Sequence, residues 1–243
     1  LLEEKDKTPA DVFLAQNPSG LAALGNALGP LPQHILTAVP DWARSAESRW
    51  VGLSGRARVV VYNTKLLTPS ALPDDLRGFT KPIWKGRVGW APTNASFQTM
   101  VSAMRLLWGE QATREWLIAM KNNGSQIYAN NTAIVTAVAS GEVDVGLTNH
   151  YYLHRFLKEH GDSFPARNYH PRKGGPGSIA MISGAGILAA SNNTPNAQLF
   201  LEFLLSPIAQ QYFSKNNFEY PLVEGPQVRH GIGLLSQINK PHI

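Results

Sequence analysis

The sequence predicts an α/β protein built from two lobes. Predicted strands alternate with predicted helices along most of the 243 residues, which is typical of layered α/β folds. Two long apolar strand patterns, at 57–63 and 179–188, bracket the segment 85–178. We interpret them as crossings between the lobes. One lobe is then continuous in sequence, the other is built from both ends of the chain, and a ligand cleft is expected between them.

The first third of the chain supplies two of these strands. Residues 9–16 form an apolar run that predicts a buried strand, and Pro18 starts a turn into a helix over 21–28. Residues 50–62 alternate between apolar and polar and end in the apolar run 58–62, which predicts a long strand.

The remaining elements follow the same logic of periodicity and caps. Short apolar runs predict strands at 87–90, 126–128, 143–147 and 179–188. Apolar residues at helical spacing predict helices at 97–108, 111–121, 130–139, 150–159, 196–205 and 207–216. We therefore expect lobe 1 to contain 1–62, lobe 2 to contain 63–180, and 181–243 to return to lobe 1.

Composition excludes several classes of protein. Apolar residues make up 43% of the chain, enough for real cores, and no apolar run reaches the roughly 18 residues of a membrane span. The absence of cysteine excludes disulfides, thiolate metal sites and cysteine nucleophiles, and it slightly favours an oxidising compartment. The net charge of +5 is scattered rather than clustered, which argues against nucleic-acid binding.

The chain begins with Leu1-Leu2-Glu3-Glu4-Lys5, without methionine or a signal-like segment. These residues resemble the end of an interrupted amphipathic helix. We expect an N-terminally incomplete piece of a longer protein, in which part of lobe 1 and any targeting signal precede the given sequence.

The segment 141–152 carries the most specific chemistry. A strand pattern through Val143, Val145 and Leu147 runs into a cap-like Thr148-Asn149 and then into two adjacent tyrosines. The tyrosines therefore follow the carboxyl end of a strand, where open α/β sheets bind ligands. Two neighbouring phenols are suitable ligands for a hard, highly charged cation such as Fe(III). The competing interpretation is structural, with one tyrosine in the core and the other at the surface.

Three predicted helix starts in lobe 2 carry small polar residues. They are Asn94-Ala95-Ser96, Asn130-Asn131-Thr132 and Thr148-Asn149, and each follows a predicted strand. Helix N-termini present unpaired N–H groups and a partial positive charge, so several that converge in one cleft form an anion site. Each one alone is also an ordinary helix cap.

Other motifs are weaker. His150 and His154 have the i, i+4 spacing of a zinc-binding helix, but the expected Glu between them is missing. The glycine-rich run 174–177 lacks the Lys-Ser/Thr pair of a P-loop. Gly184 and Gly186 lie within a strand pattern and predict close backbone packing.

Several runs closely resemble the bacterial periplasmic ferric-iron-binding proteins, the solute receptors of iron ABC transporters. The runs that carry the resemblance are 9–13, 52–59, 84–89, 130–133, 144–152 and 202–207. The Asn-His-Tyr-Tyr and Leu-Ser-Gly-Arg-Ala-Arg runs are specific, whereas Pro-Ala-Asp-Val is shared with receptors for other solutes. The resemblance implies the α/β type II periplasmic binding-protein fold, two lobes joined by a hinge of crossing strands.

The resemblance also implies a function that is not enzymatic. We expect a monomeric receptor in the periplasm, or lipid-anchored outside the cytoplasmic membrane, that delivers Fe(III) to an inner-membrane permease. Tyr151 and Tyr152 match the iron-binding tyrosine pair. The residues that match the site of the synergistic anion, phosphate or carbonate, are Asn94, Ala95, Ser96, Asn131, Asn149 and Arg56, with Arg58 the near alternative to Arg56.

Two departures keep an alternative open. Gln16 stands where some members of this family supply a carboxylate ligand, and the extreme N-terminus that normally adds a histidine or tyrosine is absent. The same fold could therefore bind another solute, such as an inorganic anion, a polyamine or a thiamine-like cation. A third class, a zinc hydrolase based on His150 and His154, lacks a general base and a third ligand.

Overall fold

The computed structural model describes residues 1, 3–4, 7–226 and 235–238 of the chain. The strands in this part are β1 Val12–Ala15, β2 Val51–Asn63, β3 Val88–Trp90, β4 Gln126–Ile127, β5 Val145–Asn149, β6 Ala166–Tyr169 and β7 Ala180–Ile187. The helices are α1 Pro18–Leu24, α2 Gln33–Leu36, α3 Ala95–Trp108, α4 Glu110–Asn122, α5 Asn131–Ser140, α6 His150–His160, α7 Thr194–Leu205 and α8 Pro207–Tyr212.

The described residues fall into two compact units. Unit 1 lies within Leu1–Arg56 and Met181–Gly233, and unit 2 lies within Ala57–Ala180 and Leu234–Ile243. The boundaries between the units fall inside β2 and after the first residue of β7.

Unit 1 contains the antiparallel pair β1 and β7, in which Phe13 lies opposite Gly186. Two glycines of β7 allow close packing. A Cβ atom on Gly184 would lie 2.8 Å from the carbonyl oxygen of Val51, and one on Gly186 would lie 2.6 Å from that of Arg49. Side chains at these positions would push the strand away from its neighbour, so both glycines are required by space, as the sequence predicts.

Unit 2 contains an open mixed sheet with the strand order β2-β5-β3-β4. Strand β2 is antiparallel to β5 and also to β6, whereas β3 is parallel to both β5 and β4. Helix α5 packs on this sheet at Gly146, where a Cβ atom would lie 2.1 Å from Ile134. The core around this contact includes Val61, Val135 and Leu153.

The structure extends or shortens several predicted elements. Helix α3 begins at Ala95, two residues earlier than expected. Helix α8 ends at Tyr212, and a π-helical turn over Phe213–Asn217 follows it. The predicted helix 21–28 ends at Leu24, because Gly25 with its φ of 48° terminates it.

Strand β6 was not predicted. Its sequence, Ala-Arg-Asn-Tyr, has no apolar run, and it forms by pairing with β2, where Tyr169 lies opposite Val60. The strand therefore depends on a partner distant in sequence, which a local pattern does not reveal.

Asn149 occupies the N-cap position of α6, as the sequence predicts, but it does not cap the helix with its side chain. Both residues continue β5, with Thr148 opposite Val59 and Asn149 opposite Arg58, and Asn149 makes no capping hydrogen bond to α6. Pairing with β2 takes precedence here because the polar side chain of Asn149 has a partner across the strand pair.

Candidate functional site

The start of helix α3 is fixed by Asn94. Its Oδ1 atom accepts hydrogen bonds from the backbone N–H of Ser96 at 3.0 Å and from the Ser96 hydroxyl at 2.6 Å. This is the N-cap arrangement that asparagine favours, as the sequence predicts. It holds the Ser96 hydroxyl at the N-terminus of a 14-residue helix, with Ala95 as its exposed first residue.

The start of helix α5 lies against the start of α3. The Nδ2 atom of Asn131 is 3.4 Å from Asn94 Oδ1 and 3.4 Å from Ser96 Oγ. Asn131 is buried at 1% exposure, while its neighbour Asn130 caps α5 by accepting from Ala133 N–H at 2.9 Å. Two of the three predicted helix starts are therefore in contact.

Arg58 joins this pair of helix starts to strand β5. Its Nη1 atom donates to Ser96 Oγ at 3.1 Å and to Asn149 Oδ1 at 3.0 Å. Arg58 is 0% exposed, although arginine is almost never fully buried unless it is paired. Within the described part of the chain no carboxylate forms an ion pair with it. Its two partners are neutral.

The electrostatics of Arg58 link it to the tyrosine pair. Burial lowers the pKa of the Arg58 guanidinium to about 9, and the nearby phenols of Tyr151 and Tyr152 oppose this change by favouring its charge. Arg58 therefore remains a cation at neutral pH. It is a buried positive charge that the phenolate forms of Tyr151 and Tyr152 would stabilise.

Several polar atoms of this cluster are buried without a hydrogen-bond partner. The unpaired donors are Arg58 Nε, Arg58 Nη2 and Asn149 Nδ2, and Asn131 Oδ1 is also unpaired. Buried polar groups in folded proteins nearly always have partners, and a buried charge without one is costly. Donors predominate around a fixed cation, and an anion would complement such a set of groups.

Tyr151 and Tyr152 occupy the first turn of α6. Their rings are stacked, with centroids 4.4 Å apart and planes inclined by 29°. Successive residues of a helix point about 100° apart, so stacked rings mean that the two side chains converge. Tyr151 is 8% exposed, whereas Tyr152 is partly buried against the core of unit 2.

Neighbouring groups hold the first turn of α6 in place. The Nδ1 atom of His150 accepts from the backbone N–H of Ala57 at 3.2 Å, and Asn168 Nδ2 donates to the His150 carbonyl at 2.8 Å. These bonds tie the tyrosine pair to β2 and β6. Asn168 lies on β6, the strand that was not predicted. The sequence therefore does not single it out as a residue that holds α6 in place.

Arg56 and Gln16 are the remaining candidates from the sequence. Arg56 belongs to unit 1, is 6% exposed, and has a buried Nε atom without a partner. Of the two arginines, the structure brings Arg58 to Ser96 and Asn149. Gln16 is exposed directly after β1.

The histidine pair of α6 is not part of a group of three candidate metal ligands among the described residues. The rings of His150 and His154 are both buried, with centroids 6.2 Å apart. Across the described ranges, no group of three or more His, Cys, Asp or Glu side chains is placed to hold a metal ion.

Comparison with known proteins places the chain in a family. The model for bacterial extracellular solute-binding proteins matches residues 9–232. This chain belongs to that family. The family is one of binding proteins, and the fold predicted from the sequence, a type II periplasmic binding-protein fold, is confirmed by solved structures with the same fold.

Named relatives of this solute-binding protein share substantial sequence with it. The chain is 35% identical over 247 aligned positions to the Fe(3+)-binding periplasmic protein of Serratia marcescens, covering 100% of this chain and 73% of that protein. It is 38% identical to the major ferric iron-binding protein of Neisseria meningitidis serogroup B, covering 90% of this chain and 68% of that protein.

Solved structures agree with the sequence comparison. Iron-bound HitA from Pseudomonas aeruginosa matches with a TM-score of 0.91 and 32% identity, over 99% of this chain and 78% of that one. A Trichodesmium protein in complex with iron and citrate matches with a TM-score of 0.85 and 31% identity, over 95% and 76%. Among the residues described for this solute-binding protein, no helix is long and apolar enough to span a membrane.

Proposed function

We propose that this chain is the substrate receptor of an iron ABC transporter. It binds Fe(III) together with a synergistic anion, phosphate or carbonate, in the periplasm, and delivers the ion to an inner-membrane permease. It binds its substrate without transforming it. The observation that carries the proposal is the stacked pair Tyr151 and Tyr152 beside the buried donors of Arg58 and Asn149.

The tyrosines are the metal ligands in this proposal. A phenol with an ordinary pKa of about 10 is a weak ligand at neutral pH, but a trivalent cation strongly stabilises its phenolate form. The convergence of both rings in one helical turn favours two phenolates on one ion. The names of the relatives, which are ferric-iron-binding proteins, support the identity of that ion.

The anion is bound by the cluster around Arg58. Asn94, Ala95 and Ser96 supply the N-terminus of α3, Asn131 and Asn149 supply side-chain amides, and Arg58 takes the role that the sequence assigned first to Arg56. An oxyanion would satisfy the unpaired donors and neutralise the buried guanidinium. It would also offer its remaining oxygens to the ion held by the tyrosines.

Titration with Fe(III) in the presence of phosphate tests the proposal. Iron-loaded protein should show a phenolate-to-iron charge-transfer band, and the double variant Tyr151→Phe with Tyr152→Phe should lose both the band and the affinity. A matched control replaces two other tyrosines, Tyr128 and Tyr212, by phenylalanine and should keep both. Unchanged colour and affinity in the first double variant would refute the assignment, and binding of another solute without iron would favour a different substrate.

A further inference from the structure

A single arginine contacts both rings of the tyrosine pair. The Cζ atom of Arg155 lies 5.2 Å from the centroid of the Tyr151 ring and 5.2 Å from that of Tyr152. The three residues share helix α6 at spacings of four and three, which places them on one face. Side chains on a helix lean toward its N-terminus, so Arg155 extends back over the first turn.

Among the described residues, the guanidinium of Arg155 lies against the rings of Tyr151 and Tyr152. Arg155 is exposed, and within the described residues no carboxylate forms an ion pair with it. The nearby acid on the same helix, Glu159, lies instead within ion-pair distance of His160. A planar guanidinium near aromatic faces is held by the ring quadrupoles and by stacking.

This contact opposes the natural divergence of adjacent helical side chains. Two neighbouring residues of a helix point in directions about 100° apart, and each tyrosine loses rotamer freedom when it is held toward the other. A cation 5.2 Å from the centroids of both rings favours the arrangement in which the two rings lie together. The side chains are then ordered before an ion arrives, which removes part of the entropy cost of binding.

We propose that Arg155 is a positioning residue of the iron site, which holds Tyr151 and Tyr152 in the stacked pair that presents both phenolic oxygens to one Fe(III) ion. This inference rests on the proposed function and deepens it. Arg155 is not a ligand of the ion. It acts by holding the two tyrosines, which are the ligands, in position.

The neighbouring Lys158 provides a matched control. It is exposed on the same helix, three residues further on, and its replacement by glutamine removes the same charge as Arg155→Gln. Both variants remove one positive charge from the same helix, so an effect of net charge alone is common to both. An effect confined to Arg155 therefore reports the contact with the rings.

The test compares Fe(III) affinity, measured by competition with citrate, and the position of the charge-transfer band in the whole chain. Arg155→Gln should weaken binding about tenfold, equivalent to about 1.4 kcal/mol, and should shift the band. Lys158→Gln should change neither. Arg155→Lys should restore part of the affinity, because a compact ammonium keeps the charge but lacks the planar surface that spans two rings.

The outcomes separate this inference from the proposed function. A wild-type chain that binds Fe(III) with a charge-transfer band, and an Arg155→Gln variant with the affinity and band of Lys158→Gln, would overturn the role of Arg155 and leave the proposed function standing. A wild-type chain without Fe(III) binding would overturn both. Because Arg155 is exposed, the variants should unfold at nearly the wild-type temperature, and that measurement accompanies the titration.

Discussion

The Nη1 atom of Arg58 donates a hydrogen bond to Oδ1 of Asn149 at 3.0 Å, across the antiparallel pair of β2 and β5. The two residues lie directly opposite each other in the register, so the bond follows from strand pairing. It places the buried guanidinium of Arg58 beside the last residue of β5. The next residue along the chain begins the helix that carries the tyrosines.

Replacing Arg58 with lysine should weaken phosphate binding by about tenfold or more. Lysine retains the charge but loses the fork of donors, of which Nε and Nη2 are unpaired in the structure. The affinity of the iron-free chain for phosphate can be measured by calorimetry. Arg56→Lys should have the smaller effect, and the reverse ranking would return the anion site to Arg56.

Replacing Asn149 with aspartate should create an internal anion beside Arg58. The new carboxylate would neutralise a guanidinium that has only neutral partners, so the unfolding temperature without phosphate should rise. Phosphate should then no longer stabilise the variant, because its place next to the cation is taken. Thermal unfolding with and without phosphate checks both effects, and stabilisation by phosphate equal to that of the wild type would contradict the account.

Replacing Asn94 with alanine should affect both stability and anion binding. Loss of the cap on α3 should lower the free energy of unfolding by about 1 kcal/mol. It should also release the Ser96 hydroxyl, which Asn94 holds at 2.6 Å, and thereby weaken the anion site.

Asn130→Ala is the matched control for Asn94→Ala. It removes the equivalent cap from α5 and should cost similar stability, with less effect on phosphate affinity. Equal losses of phosphate affinity in the two variants would show that helix capping alone, and not contact with the anion, explains the effect.

His170 should make the stability of the chain depend on pH. Burial lowers the pKa of His170 to about 4, from an ordinary value near 6.5, and its Nδ1 atom is buried without a hydrogen-bond partner. Between these values the unfolded chain binds the extra proton, so the free energy of unfolding should fall as pH decreases from about 6.5 to about 4.

The size of this effect should be about 1–3 kcal/mol. Chemical unfolding of the iron-free chain at a series of pH values measures it, and His170→Gln should flatten the curve across that range. A variant with the same slope as the wild type would assign the pH dependence to other groups.

Much of unit 2 could be predicted because its signals are local. The caps at Asn94 and Asn130 and the apolar periodicity of α3 and α5 lie in short stretches of sequence, and the structure confirms them. The two tyrosines are adjacent in the sequence, so they could also be identified as a pair. Their stacking, however, depends on the geometry of the first turn of α6 and its contact with Arg155.

The choice between Arg56 and Arg58 could not be made from sequence. The two arginines are two residues apart on one strand, where alternate residues share a face, so the pattern treats them alike. Register with β5 brings Arg58 opposite Asn149, and register is a property of the paired strands. The unpredicted β6, and with it Asn168, depends on long-range pairing for the same reason.

A crystal structure of the chain loaded with Fe(III) and phosphate, with anomalous diffraction at the iron edge, would show directly whether Tyr151 and Tyr152 bind the ion. We expect one iron peak within bonding distance of the phenolic oxygens of both Tyr151 and Tyr152, with phosphate against Arg58, Ser96 and Asn149. An iron peak away from the two tyrosines, or bound by histidine instead of phenolate, would contradict this expectation.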